Sequence, residues 1–274
     1  LLDETDSEDF RNQIVSIKIL LLLDLWTINQ DATSFEKATS LLKSSLTSNH
    51  LHIYHIVAFE RVFVFYVNLY ISSKAVIDLD EAIFWGECYS THATPSFPDY
   101  VIDINNLAVA LRDRYERGGT EADLDRRIEL HEEALRLAEI GDRNRPSLLN
   151  NLAAALGDRY RLRGNEADLD RRIELHEEAL RLTAEGDSDR PGWLNNLGIA
   201  LGDRYMRGGN ESDLEQSIEL HEEALRLTAE GDIDRPGRIN NLGLALRDRY
   251  ERGGIEADLE QSIELHEEAL RLTA

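Results

Sequence analysis

Four histidines recur along the chain in identical surroundings and raise the question of metal chemistry. Each begins the run His-Glu-Glu-Ala-Leu, and successive copies are 45 residues apart. A zinc-binding helix motif needs a second histidine four residues after the first, but a leucine stands there in every copy. Equivalent residues of stacked helices lie about 8–10 Å apart, too far to share one zinc ion. We therefore predict packed structural histidines, without a metal site, at His131, His176, His221 and His266.

No other set of residues has the pattern that catalysis or cofactor binding requires. Gly118 and Gly119 separate two predicted helices, which is typical of a helix terminator and not of a phosphate-binding loop. We find no Ser/His/Asp or Cys/His arrangement for nucleophilic catalysis. The single cysteine, Cys88, excludes an internal disulfide and is predicted to be a small buried side chain. The sequence thus predicts no catalytic residues and no cofactor, and any functional residues should serve recognition.

The elements that carry these residues are copies of one unit. Asn-Asn-Leu begins at residues 105, 150, 195 and 240, and Asp-Arg-Tyr and Ile-Glu-Leu-His follow at constant distances. Weaker copies precede them, since Asp78-Leu79-Asp80 lies 45 residues before Asp123-Leu124-Asp125. We divide the chain into two degenerate helical repeats in residues 1–104 and four near-identical repeats in residues 105–274, which together form one continuous solenoid.

Each unit is predicted to contain two helices, as the third strong copy shows. Its first helix is expected to run from about Pro191 to Arg207 and to be ended by Gly208 and Gly209. Asn210 or Asp213 should cap a second helix that ends near residue 228. The apolar stripe of the first helix is Leu194, Leu197, Gly198, Leu201 and Tyr205. Because neither helix can bury its stripe alone, we predict an all-α, right-handed α-solenoid of about six tandem two-helix repeats.

The pattern resembles the tetratricopeptide repeat (TPR). Leu197-Gly198 and Leu201 look like the small-residue signature of that family's first helix. The positions that match its second helix are Ser217, His221 and Ala224. The unit departs from the family in length, about 45 residues against about 34, and Arg127 and Arg172 replace the usual small residue in two copies. HEAT-type repeats have a similar length and are the alternative fold.

More narrowly, the Asn-Asn-Leu-Gly, Asp-Leu-Glu and Asp-Arg-Pro elements are similar to long fungal TPR arrays. Such arrays often accompany a caspase-like CHAT domain or a nucleotide-binding switch domain, although neither signature occurs in this chain. The Asn-Asn-Leu core is also similar to kinesin light chain repeats. The resemblance implies a scaffold inside a larger protein that binds a peptide or protein partner on the concave face lined by first helices.

The candidate binding residues share one side of the first helices. At positions i, i+4, i+7 and i+11 the four copies keep the first asparagine and vary the other three, over a constant core stripe. Trp193, which replaces Leu148 and Arg238 of the neighbouring copies, is either a hot-spot anchor or a plug between repeats. The predicted partner-binding residues are Asn105, Val109, Arg112, Glu116, Asn150, Ala154, Arg161, Trp193, Asn195, Ile199, Met206, Asn240, Leu244, Arg247 and Glu251.

The repeated asparagines allow two interpretations. A side-chain amide both donates and accepts hydrogen bonds, so a row of asparagines could hold the backbone of an extended peptide while the varied positions select its sequence. Alternatively, the asparagine pairs bridge neighbouring repeats or cap local backbone. Both interpretations stay open for the first asparagine of each pair and for the second, which is Asn106, Asn151, Asn196 or Asn241.

Charge narrows the classes of partner. The 274 residues carry a net charge of −23, which argues against nucleic acid and against an anionic membrane surface. The apolar stretch from Leu51 to Ile71 is long enough to span a bilayer, but Glu60 and Arg61 near its centre predict a buried helix instead. We recognise no signal peptide and expect a cytoplasmic protein.

A second function class follows from the last copy, which ends on its second helix. Solenoids normally need a polar capping helix to stay soluble. An uncovered end could dock on the first repeat of another molecule in a contact that need not close. The alternative prediction is therefore a structural protein that self-assembles end to end as a homo-oligomer.

Overall fold

The computed structural model describes residues 4–47 and 51–273, which form twelve α-helices with no strand among them. Consecutive helices pair into six helical hairpins, so the predicted all-α fold of six two-helix repeats is confirmed. We number the repeats 1 to 6 in chain order. The helices are α1 (Glu4–Asn29), α2 (Ala32–Ser45), α3 (Ile53–Ser73), α4 (Val76–His92), α5 (Tyr100–Glu116), α6 (Glu121–Leu137), α7 (Arg145–Arg163), α8 (Glu166–Leu182), α9 (Arg190–Gly208), α10 (Glu211–Leu227), α11 (Arg235–Gly253) and α12 (Glu256–Thr273).

The repeats form two compact units of three. Unit 1 is Leu1–Leu137 and unit 2 is Ala138–Ala274. Unit 1 contains the two degenerate repeats and the first near-identical copy, and unit 2 contains the other three copies. The division predicted between residues 104 and 105 rests on similarity between the copies and stays a prediction. Within unit 2, equivalent residues of three near-identical repeats can be compared directly.

Local signals set the boundaries of the helices in repeat 5. Pro191 lies in the first turn of α9, where a missing backbone N–H costs nothing. Gly209 follows the helix in the left-handed region, with φ of 67°, and donates its N–H to the carbonyl of Tyr205. Asn210 then caps α10 by accepting a 3.2 Å hydrogen bond from the N–H of Ser212. The predicted helix ends are therefore confirmed for this repeat.

The core of unit 2 is shared between repeats. One buried cluster joins Leu169 and Ile173 of α8 to Leu197 and Leu201 of α9. A second joins α10 to α11 in the same way, so each cluster links the second helix of one repeat to the first helix of the next. A single repeat would leave both stripes exposed, which is why the repeats are stable only in a stack.

The Asp-Arg-Tyr element forms a clamp inside each of the three repeats of unit 2. Arg204 of α9 donates Nε to Oδ2 and Nη2 to Oδ1 of Asp213, both at 2.8 Å. Asp213 is 3% exposed and occupies the third position of α10, where a negative charge complements the helix dipole. The hydrogen bonds from Arg204 lower the pKa of this carboxyl group. The equivalent pairs are Arg159–Asp168 in repeat 4 and Arg249–Asp258 in repeat 6.

Unit 1 has an aromatic core around α3 and α4, in which Phe59, Phe63 and Trp85 are fully buried. Helix α3 is long and apolar enough to cross a membrane by length and composition, a test that core helices of water-soluble proteins also pass. Here one face of α3 is buried, and Glu60 and Arg61 lie half-buried within it. The aromatic side chains of α3 contribute both to the packing of its own repeat and to contacts with α1 and α2 of repeat 1.

Candidate partner-binding face

The asparagine pairs form a ladder between the repeats of unit 2. The side-chain Nδ2 of Asn196 donates a 2.9 Å hydrogen bond to Oδ1 of Asn150, and Nδ2 of Asn241 donates a 3.0 Å bond to Oδ1 of Asn195. The second asparagine of repeats 5 and 6 thus contacts the first asparagine of the preceding repeat. Of the two interpretations, bridging between neighbouring repeats is what the structure shows for these pairs. A ligand contact by the remaining amide hydrogens of Asn150 and Asn195 stays a prediction.

Beside this ladder, α9 and α11 border a cavity of about 170 Å³ in unit 2. It brings together three of the predicted binding residues, Ile199, Met206 and Leu244, with the carboxylates of Asp203 and Asp248. The other lining residues are Gly198, Gly202, Leu214, Ser217, His221, Asn241 and Ala245. We call this cavity the Gly202 hollow. It combines apolar walls with two acidic groups at its edge.

The Gly202 hollow is open because repeat 5 has two small residues at facing positions. A Cβ atom added to Gly202 would meet only Oγ of Ser217, at 3.6 Å. Ser217 is held by a 2.8 Å hydrogen bond from its Oγ to the carbonyl of Gly198. In repeat 4 the same two positions are Gly157 and Arg172, and a Cβ on Gly157 would lie 3.0 Å from Nε of Arg172. The arginine side chain therefore fills in repeat 4 the space that is empty in repeat 5.

Arg172 also explains how an arginine fits at a position where the family has a small residue. The side chain is buried, with 7% of it exposed, and Nη1 donates a 2.6 Å hydrogen bond to Oδ2 of Asp203 in α9. The absence of a side chain on Gly157 provides the room for the guanidinium group. Arg172 thereby links α8 of repeat 4 to α9 of repeat 5.

The remaining predicted residues lie elsewhere on the first helices. Arg247 and Glu251 form an ion pair at 3.4 Å, and Arg161 pairs with Asp158 of its own helix. Trp193 is half-buried beside a separate cavity of about 350 Å³ at the turns that precede α7 and α9, away from Ile199 and Met206. In unit 1, four predicted residues lie along α5: Asn105, Val109 and Arg112 are half-buried, and Glu116 is exposed. Asn240 is exposed and Ala154 is half-buried.

Sequence reasoning missed Asp203 and Asp248 as members of the candidate site. Both belong to the Asp-Arg-Tyr element, which is constant among the copies and therefore lay outside the varied positions from which the binding residues were predicted. The sequence nevertheless contained a signal for the hollow, namely the sizes of two residues that face each other across the helical hairpin of repeats 3 to 6. They are Arg112 and Arg127, Gly157 and Arg172, Gly202 and Ser217, and Arg247 and Ser262. Among these copies, only Gly202 and Ser217 are both small.

Three of the four repeated histidines are packed in the core, whereas His266 of the last copy is only half-buried, because no further repeat covers α12 in the part of the chain that the structure describes. His131, His176 and His221 are at most 3% exposed, and a Cβ on Gly198 would lie 2.8 Å from Cε1 of His221. Burial lowers the pKa of His176 to about 3 and that of His221 to about 4, so these rings are neutral near pH 7. Within residues 4–47 and 51–273, no three His, Cys, Asp or Glu side chains are grouped so as to hold a metal ion.

Solved structures with a similar fold include TPR-like repeat proteins. Residues 237–270 match the model of a tetratricopeptide repeat family. A solved structure of a Podosopora anserina putative kinesin light chain, with nearly identical TPR-like repeats, has a TM-score of 0.54 at 16% identity over 78% of this chain and 98% of its own. BtubC (BKLC) from P. vanneervenii has a TM-score of 0.51 at 19% identity over 96% of this chain and 89% of its own.

These identities show a common fold. A comparison with curated proteins gives no significant match. The matched residues 237–270 nevertheless carry the same sequence pattern as the three copies that precede them at 45-residue steps. The predicted resemblance to TPR and kinesin light chain-like repeats is therefore confirmed: residues 237–270 carry a tetratricopeptide repeat pattern, within a helical fold shared with a structure of TPR-like repeats.

Proposed function

We propose that the chain acts in the cytoplasm as a protein-interaction scaffold that binds an extended peptide segment of its partner on the first-helix face, and that its role is recognition rather than catalysis. The observation that carries this proposal is the Gly202 hollow, where residues that vary among the copies border an open cavity. The core beneath is constant, since Leu201 and its counterpart Leu246 are both buried. Constant core residues keep the fold of each repeat, and varied surface residues let one face select a particular segment.

The walls of the hollow favour a peptide over a flat protein surface. Ile199 and Leu244 are half-buried and Met206 is 68% exposed, so the apolar contacts available are small and concave. Such a surface suits single side chains inserted from an extended segment. Asn150 and Asn195 lie on the first helices α7 and α9, and their free amide hydrogens can donate to carbonyl groups of that segment.

Ile199→Glu and Leu244→Glu should each weaken binding of a groove ligand at least tenfold, because a carboxylate would be placed in the apolar wall. The ligands are those selected from a displayed library of random peptides, and affinity is measured by fluorescence anisotropy. Glu219→Lys on the exposed side of α10 is the matched control and should leave affinity within about twofold. Substitution of Asn150 or Asn195 is less informative, because it also removes a bond between repeats.

Two results would contradict the proposal. If selected peptides bind the wild-type protein and keep their affinity in both glutamate variants, the first-helix face is not the binding surface. If no peptide is enriched above the level obtained with an unrelated helical protein, the scaffold does not recognise extended segments.

End-to-end self-assembly is the second candidate, favoured by the exposed face of α12. Ile263 is 52% exposed, whereas its counterparts Ile173 and Ile218 are 3% exposed under the following repeat. Leu270 and Leu272 add to the same exposed apolar surface. A second copy stacked there would bury these side chains as the internal repeats do.

This candidate predicts a molar mass by light scattering that rises with protein concentration over a hundredfold range. Ile263→Glu should return the mass to that of the 31.2 kDa monomer. A monomer mass throughout that range would argue against assembly and leave the peptide-binding proposal untouched.

A further inference from the structure

We propose that the Gly202 hollow binds the side chain of an arginine in the partner. The aliphatic part would lie along Ile199 and Leu244, and the guanidinium group would reach the carboxylates of Asp203 and Asp248. This inference rests on the proposed function, because it names the partner chemistry that the first-helix face selects. It goes further by assigning one subsite, one side chain and two acidic groups.

The protein contains its own template for this contact. In repeat 4, the guanidinium of Arg172 lies against Gly157 and donates from Nη1 to Asp203 at 2.6 Å. The corresponding residues one repeat later are Gly202, Ser217 and Asp248. Ser217 turns away to the carbonyl of Gly198, so the place of the guanidinium is vacant between Gly202 and Asp248. An arginine entering from outside would occupy the position that Arg172 occupies from within.

The acidic groups at the edge keep bonding capacity for such a ligand. Asp203 accepts the Arg172 bond through Oδ2, and Asp248 accepts both Arg247 bonds through Oδ1. Among the described residues, Oδ1 of Asp203 and Oδ2 of Asp248 accept no hydrogen bond. A guanidinium group has five N–H donors in a planar fork, which matches two carboxylate oxygens better than the single ammonium group of lysine.

Size and charge agree with this occupant. The hollow of about 170 Å³ has room for one long side chain. Apolar walls suit the three methylene groups of arginine. The net charge of −23 adds a long-range attraction for basic segments.

The direct test uses a single side chain as the probe. N-acetyl-arginine methylamide is titrated into the 15N-labelled full chain, and the amide signals of Gly202 and Asp248 are followed. We expect saturable shifts with a Kd on the order of 1–10 mM, as one side chain allows. N-acetyl-citrulline methylamide, which is nearly isosteric but uncharged, should give no saturable shift. Equal shifts with both probes, or none with either, would overturn the assignment.

Two reciprocal substitutions use the chain's own variation. Ser217→Arg should fill the hollow as Arg172 does in repeat 4, and should abolish the shifts at Gly202. Arg172→Ser should open a second hollow at Gly157 beside Asp203, and should add saturable shifts there. Both changes copy a residue that a neighbouring repeat already carries at that position, and the second remains decisive should the first fail to fold. Persistence of the Gly202 shifts in a folded Ser217→Arg protein would contradict the proposal.

Selected peptides separate this inference from the proposed function. We expect peptides that lose affinity in Ile199→Glu to share one arginine, and to lose at least tenfold when that arginine is changed to citrulline or when the protein carries Asp248→Asn. Peptides that depend on Ile199 but contain no preferred arginine, and that bind Ser217→Arg unchanged, would refute the arginine subsite and leave peptide binding in place.

Discussion

Acidification from pH 6.5 to about pH 4.5 is expected to remove on the order of 5 kcal/mol from the free energy of unfolding of unit 2. Burial holds the pKa of His176 at about 3 and that of His221 at about 4, whereas unfolded histidines titrate near ~6.5. In the interval between these values the unfolded state binds two protons that the folded state does not. Stability is therefore fully present above pH 6.5 and falls by about 1.4 kcal/mol per histidine for each pH unit below it.

The measurement is urea unfolding at several pH values, followed by hydrogen exchange in peptides from α7 to α11. In the double variant His176→Gln, His221→Gln, the free energy of unfolding should hardly change with pH in the same interval, whatever its value at pH 7. If the double variant retains the slope of the wild-type protein, the histidines are not its cause.

Unit 1 should respond less steeply to acid. Burial, reinforced by the charges of Glu60 and Asp99, raises the pKa of Asp103 to about 7. The folded state therefore holds a proton on Asp103 that the unfolded state loses near pH 4. The stabilisation from Asp103 is present at low pH and is lost as pH rises through about 7. His131 has the opposite effect, because burial lowers its pKa to about 3. Between pH 6.5 and about pH 4.5 the stability gained from Asp103 offsets the stability lost at His131. Peptides of unit 1 should therefore keep more protection from hydrogen exchange than those of unit 2.

Asp213→Asn is expected to destabilise unit 2 by about 2–3 kcal/mol at pH 7. The substitution removes the charge that Arg204 contacts with two 2.8 Å hydrogen bonds at a buried position. Breaking one partner of a fully buried pair costs about 3–5 kcal/mol, and the 38% exposure of the Arg204 side chain reduces that figure. Because the pKa of Asp213 is lowered, the contribution is present above the unfolded pKa and disappears as pH falls through the folded one.

Glu223→Gln provides the matched control for this pair. It removes an ion pair with Arg226 in the same helix, but the atoms are 4.0 Å apart and the Arg226 side chain is 70% exposed. The expected change is below about 0.5 kcal/mol. Urea unfolding at pH 7 compares the two variants directly, and an equally small loss for Asp213→Asn would show that the Asp-Arg-Tyr clamp does not stabilise the repeat.

The sequence by itself determined the architecture. A period of 45 residues, helix signals such as Pro191 and Asn210, and an apolar stripe from Leu194 to Tyr205 were sufficient to predict the helices and the buried face. These features depend on short-range backbone preferences and on the 3.6-residue period of a helix, which are visible within one repeat. Near-identity of the copies then extended the prediction from one repeat to its neighbours.

Only the tertiary structure decided which side chains of neighbouring repeats contact each other. The bond from Asn196 to Asn150 joins different positions of successive repeats, and Arg172 reaches Asp203 across a repeat boundary. Since every copy contains the same asparagines and aspartates, sequence comparison cannot distinguish a contact within a repeat from one between repeats. The Gly202 hollow has the same origin, because it exists where two small residues on different helices face each other in the packed stack.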